Sequence, residues 1–343
     1  MAACSPPYLN MINIMIKQKF TKLFQKKQPE HTSNTDPFVF VHIPKTAGTS
    51  FRVAVQQHES VYCDYGKQSE FTSPDVTAYL YETSNFYELK QQILKRKGEA
   101  LCGHFPIQRF ADFAPITHQV TFVREPIKRV ISHYNHFVTY NNFEGDLISF
   151  VKKHMNVQSR ALHVIPIELI GQLGITEYYA ESLNLINNGL NSQYVALTHN
   201  VKTQNHIDEL QLNDERLQTL QQHNQDDIML YQKAIALHQQ RVALFEEQKE
   251  WTYIHAKVND NHVIHGCAFY QRSPDPVQLD VYINGNFIRS FMANQFYGLH
   301  PKFIFPRDRY IAFRYEIPKH FIGLIDTIEL RVVSTQQNYV ITQ

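Results

Sequence analysis

The chain has 343 residues, 43% hydrophobic and 19% charged, with a formal net charge of +1. That composition is ordinary for a soluble globular protein, and the length suits two domains, because single cores stop growing near ~250–300 residues. The balanced charge excludes a protein that coats nucleic acid by counterion release, so any anion must be held locally and no nucleic-acid partner is expected.

Four cysteines (Cys4, Cys63, Cys102, Cys267) lie far apart without a C-x-x-C pair, so neither a zinc knuckle nor a redox motif is written. A reducing, cytoplasmic setting is the simpler expectation. Among the 18 histidines the close pairs are His133/His136 and His262/His265, with no companion cysteine and no H-E-x-x-H helix. No metal is expected.

Residues 1–37 read as a basic leader and linker, with neither a secretory signal nor the ~20 apolar residues of a membrane span. Within them, residues 11–27 place Ile12, Ile16, Phe20 and Leu23 on one helical stripe beside lysines. That pattern is read first as a solvated basic leader, and it also suits peripheral contact with an anionic membrane surface. "HTSNTDP" (31–37) is a linker by composition.

From residue 38 to about 250, short β-rich runs alternate with helical patterns. The expected strands are "FVFVHI" (38–43), "ALCGH" (100–104), "QVTFV" (119–123) and "SQYVAL" (192–197). Such alternation predicts an α/β domain, a parallel sheet flanked by helices, with ligands at the carboxyl ends of its strands. Residues 207–250 are Gln-rich and helical, with Ile228, Tyr231, Ile235, His238, Val242 and Phe245 as the expected apolar seam. Beyond Trp251, "VQLDVYINGNFIRSFMA" (277–293) reads as a hairpin around Asn284-Gly285, and "YIAFRYEIP" (310–318) and "TIELRVVS" (327–334) add alternating strands. Residues 251–343 are therefore expected to form an antiparallel β-sandwich.

Two strand-to-helix turns carry the chemistry. In "HIPKTAGTS" a strand ending at Ile43 meets a helix starting near Thr49 or Ser50. Backbone N–H groups and the helix dipole would there converge on an anion. Gly48 permits close backbone approach, Lys45 supplies a point charge, and Thr46, Thr49 and Ser50 supply hydroxyls. It is not a Walker A loop, since Lys45 precedes the loop's one glycine. In "TFVREPIKRVISHY" (121–134), Pro126 opens a helix with Ile127, Val130, Ile131 and Tyr134 as its core stripe. The other face presents Arg129, Ser132, His133 and His136, and Arg124 ends the strand. Arg124 and Ser132 could grip a second phosphate as fork and hydroxyl.

The chain here resembles the carbohydrate sulfotransferases that use 3′-phosphoadenosine-5′-phosphosulfate (PAPS), especially the heparan/dermatan 2-O-sulfotransferase-like branch. "HIPKTAGTSF" is similar to their 5′-phosphosulfate loop and "FVREPIKRVISHY" to their 3′-phosphate strand and helix. The likeness continues through "GHFPI" (103–107), "NVQSRAL" (156–162), "GITEYYAESLNLI" (174–186) and "NQDDIMLY" (224–231), over roughly residues 38–250. It implies a P-loop-like phosphosulfate-binding loop and PAPS as co-substrate. Lys45, Thr46, Ala47, Gly48, Thr49 and Ser50 would hold the 5′-phosphosulfate, Arg124 and Ser132 the 3′-phosphate, and His104 would be the base.

"GHFPIQRF" offers one histidine where some relatives carry two. The C-terminal sandwich resembles modules appended to other bacterial glycan-modifying enzymes. The implied acceptor is a glycan or glycolipid, and sulfuryl, carrying one charge rather than two, demands no divalent ion. Two other readings stay open: a nucleotide-dependent phosphotransferase, and a non-catalytic glycan-binding protein on the same scaffold.

Overall fold

A computed structural model describes residues 36–94, 99–196 and 212–341. The stripe at 11–27, residues 31–35 of the linker and residue 197 lie outside them. Among the described residues no helix is long and apolar enough to cross a membrane.

Five strands, β1 (Phe38–Val41), β2 (Ser60–Asp64), β3 (Glu99–Gly103), β4 (Gln119–Val123) and β5 (Gln172–Ile175), form a parallel sheet in the order β2-β3-β1-β4-β5. β1 is apolar throughout because both its faces are covered. Phe38 and Phe40 pack with Phe51 and Val55 of α1 (Gly48–Gln56), and Val39 and Val41 pack on the opposite side with Leu89 and Ile93 of α2 (Phe86–Leu94). The helix after β4, α3 (Pro126–Tyr140), buries Ile127, Val130, Ile131 and Tyr134 against Phe150 of α4 (Leu147–Lys153).

β2 and β5 were not anticipated, and "SQYVAL" is not a strand: residues 192–196 have no regular structure. The Asn187 side-chain amide, on α6 (Tyr179–Leu190; α5 is Val157–Leu162), takes the backbone bonds a strand would need, accepting from Tyr194 N and donating to Tyr194 O. Tyr194 then plugs the core, its ring 6.3 Å from Phe38 and 5.9 Å from Phe51.

After α7 (Asp214–His223), the long α8 (Gln225–Glu246) buries Asp227, Ala234, His238, Arg241 and Leu244. His238 sits in the seam as expected, but the seam is rotated and Phe245 is exposed. A reading based on apolar spacing passes over Asp227 and Arg241, which are buried because their polar atoms find partners. Arg241 donates to Gly171 O, Gln172 Oε1 and Gln271 Oε1 at 2.7–2.9 Å.

From Thr252 onward, two four-stranded antiparallel sheets stack with Ile254, Ala268, Leu279 and Leu330 between them. The first contains β6 (Thr252–Val258), β7 (Val263–Tyr270), β10 (Gln295–Phe296) and β11 (Tyr310–Glu316). The second contains β8 (Val277–Ile283), β9 (Asn286–Ala293), β12 (Ile328–Val332) and β13 (Asn338–Ile341). Asn284-Gly285 makes the expected β8–β9 turn with φ of 50° and 75°.

Much of the first sheet is covered on both sides, although β10 at its edge is exposed. Tyr253, Cys267, Phe269 and Ile311 leave the sandwich interior and join the core that contains Val39, Val41 and Leu173. Tyr253 Oη adds a 2.7 Å hydrogen bond to Gly171 O. The change of pattern near Trp251 thus marks a change of architecture across one continuous core.

Candidate active site

The strand order turns around at β1: the chain runs out to β2 and back to β3 on one side, then to β4 and β5 on the other. Ligands of open α/β sheets bind at such reversals. The reversal brings the loop after β1, His104 after β3 and Arg124 after β4 to one edge.

Within the loop, Lys45 and Ala47 adopt left-handed φ of 70° and 63°. Thr46 is fully buried and its hydroxyl donates to Ile43 O at 2.9 Å. That hydroxyl shapes the loop and is not free to donate outward, whereas Thr49 and Ser50 are half-buried. Helix α1 begins at Gly48, with no side-chain cap and no acidic residue in its first turn. Its first N–H groups therefore lack a side-chain partner. α3 differs, because Glu125 caps it by accepting from Ile127 N and Lys128 N.

Lys45 and Arg124 converge. Arg124 Nη1 donates to the Lys45 carbonyl at 3.2 Å, and burial, then the Arg124 charge, lower the Lys45 pKa. Glu177 stands 3.9 Å from Arg124 Nε, and that buried nitrogen has no hydrogen bond. Two cations therefore stand here against the one carboxylate of Glu177, with an Arg124 donor left without a hydrogen-bond acceptor. Ser132 lies two turns into α3, half-buried, with no hydrogen bond to a described residue.

The expected polar face of α3 is largely interior. Arg129 is fully buried, 4.0 Å from Asp227, and His133 packs on Phe137, Phe150 and His154. Burial, then Arg129, holds the His133 pKa down at about 2. His136 is half-buried, and burial, then Lys45, lowers its pKa to about 4.

His104 opens onto a cleft of about 1090 Å³, with His42 and Pro44 beside it and Ser159, Arg160 and Lys233 opposite. Its ring lies 4.7 Å from those of His42 and Tyr65. Burial, then Arg52 and His136, push its pKa down to about 4, so it is neutral at pH 7. Gly103 holds this corner together, since a Cβ there would meet Asp64 O at 1.9 Å.

Two positioning residues were missed. His42 is buried, with Nδ1 2.8 Å from Tyr65 Oη, so Tyr65 orients this histidine. Burial, then His104, Arg52 and Lys45, keep His42 neutral. Gln158 is fully buried, accepts from Arg124 N at 2.8 Å and donates to Arg124 O at 2.9 Å, fixing the end of β4. Asp227 anchors that contact by accepting from Gln158 N and Ser159 N at the start of α5. "NVQSRAL" and "NQDDIMLY" were the available signals, though nothing in them says which atoms meet.

Residues 31–163 match the model of the sulfotransferase family. The match runs from before β1 through α5 and takes in Lys45, His104, Arg124 and Gln158. It supports a sulfotransferase, and with it an enzyme of sulfuryl transfer. No curated protein matches the chain.

Proposed function

We propose that this protein transfers a sulfuryl group from PAPS to a hydroxyl of a glycan or glycolipid acceptor. The observation that carries the reading is the convergence of Lys45, Arg124 and the uncapped start of α1 at the sheet edge, within the segment that matches the family. PAPS supplies a sulfuryl group on a phosphate leaving group, and a 3′-phosphate by which it is recognised. The N–H groups of Gly48, Thr49 and Ser50, with Lys45, stabilise negative charge growing on the leaving oxygen. Thr46 and Ala47 set the loop's path. Arg124 and Ser132 hold the 3′-phosphate, with Gln158 fixing the Arg124 backbone.

His104, neutral and facing the cleft, takes the acceptor hydroxyl's proton on an imidazole nitrogen. The cleft opposite aligns that hydroxyl, and alignment contributes much of the rate, as in phosphoryl transfer.

Calorimetry with PAPS and with adenosine 5′-phosphosulfate, which lacks the 3′-phosphate, tests the recognition. PAPS should bind more tightly, and Arg124→Ala should lose about 1.5–3 kcal/mol of its binding. Equal affinity for both nucleotides would sink the 3′-phosphate assignment. Labelled PAPS offered with a panel of glycans should yield sulfated product with EDTA present. No transfer to any acceptor would sink the enzymatic reading.

A further inference from the structure

At the amino-terminal edge of the parallel sheet, away from the Lys45 loop, a second cavity of about 660 Å³ lies between Pro115 and Thr117 and the sandwich. The junction is tied by Ile116 N donating to Ile304 O at 2.8 Å. Its sandwich wall holds an unusual turn: Arg307, Asp308 and Arg309 have φ of 56°, 48° and 71°, three successive left-handed residues, none of them glycine. L-residues resist that conformation, so something must hold it.

The two arginines do so. Arg309 donates to the carbonyls of Tyr297 and Phe303 at 2.8 Å, and to those of Leu299 and His300. Arg307 donates to Tyr310 O and Pro274 O. Both guanidinium groups are held against the wall by these bonds. The Asp308 carboxylate, at the centre of the turn, faces the cavity, is exposed, and has no partner among the described residues. Next to it Tyr310 is 53% exposed, and its cross-strand partner Phe296, 5.8 Å away ring to ring, is 60% exposed. Ile304, 42% exposed, lines the cavity with Tyr310 as an apolar floor.

We propose that this cavity binds uncharged pyranose residues of a glycan chain, separately from the sulfuryl-transfer site. A pyranose presents an apolar C–H face, which suits the Tyr310 ring that lines the cavity, and rim hydroxyls that donate to a carboxylate. A few convergent polar groups over an apolar floor is the usual make-up of a small-ligand site. A strained turn that holds a carboxylate open is the kind of outlier that points to use. Arg272 and Arg307 also line the cavity, each hydrogen-bonded to protein oxygens, so the exposed Asp308 carboxylate is the acceptor offered to sugar hydroxyls, and a heparin fragment tests whether the guanidinium charges admit a polyanion. The proposal does not rest on sulfuryl transfer.

The test titrates the full chain calorimetrically, without nucleotide, with cellohexaose, chitohexaose and maltohexaose, and with a heparin hexasaccharide as the polyanion. At least one neutral hexasaccharide should bind, and its affinity should fall at least tenfold in Tyr310→Ala and in Asp308→Asn. Asn tolerates left-handed φ, so the second variant should keep the wild-type melting temperature and separate lost binding from lost fold. The proposal is overturned if no neutral hexasaccharide binds, if Asp308→Asn binds it as wild type does, or if the two substitutions weaken only the heparin fragment.

Discussion

The His42 ring occupies the space that a side chain on Gly48 would need: a β-carbon there would stand 2.0 Å from His42 Cδ2 and 2.4 Å from Nε2. The glycine at the start of α1 is thus demanded from within the protein, by the histidine that follows β1. His42 cannot easily yield, held as it is by Tyr65 and stacked on Phe40 at 5.5 Å. Gly48→Ala should cost about 1–3 kcal/mol, the usual range for overpacking, and weaken PAPS binding by shifting the loop. His42→Ala added to it should recover part of the melting temperature. No recovery in the double variant would mean that Gly48 answers to another constraint.

His104→Ala should lower kcat by roughly 10²–10⁴, the usual share of general-base catalysis, while leaving PAPS affinity and melting temperature close to wild type. The separation is expected because the ring faces the cleft and touches the fold mainly through His42 and Tyr65. A normally melting variant with undiminished kcat would remove His104 from the mechanism. His136, half-buried under the influence of Lys45, would be the next histidine to test. His133 is enclosed by aromatic rings and is a core residue.

Acid should destabilise the protein from near pH 6.5 downward. His42, His104, His133 and His136 all have folded pKa values below the unfolded value of ~6.5. Below that pH the unfolded chain binds protons that the folded chain refuses, so stability present above pH 6.5 is lost as pH falls toward about 4. A buried group such as His133 contributes up to about 1.4 kcal/mol per pH unit in that window. Burial would raise the Glu168 pKa, but His255 and Lys233 outweigh it and hold it at about 2, which extends the loss below pH 4. Denaturant midpoints between pH 7 and 4 should fall steadily, and less steeply in His133→Leu. A flat profile would show that these rings titrate freely.

A chain ended at residue 250 should not fold cooperatively. It lacks Trp251, Tyr253, Phe269 and Ile311, which share one core with Val39, Val41 and Leu173, and it leaves Arg241 without Gln271. Circular dichroism and limited proteolysis would report the outcome. A cooperative melt from residues 36–250 would establish the α/β part as self-sufficient.

Local chemistry made the turn at 38–56 and the one at 119–140 readable. Phe38–Val41 and Gln119–Val123 carry their β preference within a few residues. Pro126 announces a helix start, and Asn284-Gly285 a hairpin, without help from elsewhere in the chain. Tertiary structure decided what depends on partners far along the chain. β5 contains Gln172 and Gly174 and has little strand character alone. It is a strand because β4 pairs with it and because Thr117 O and Arg241 satisfy the buried Gln172 amide. Tyr194 was drawn away from strand geometry by the Asn187 amide. The face that α8 buries was chosen by Asp227 and Arg241, whose partners include Gln158 and Gly171, 69 and 70 residues earlier, and Gln271, 30 residues later. The sequence determined which residue types stand at the ends of strands, because a strand's end is a local event. Which of them meet was decided by packing: Gln158 on Arg124, Tyr65 on His42 and the sandwich on the sheet are contacts whose stabilisation appears only once distant segments are in place.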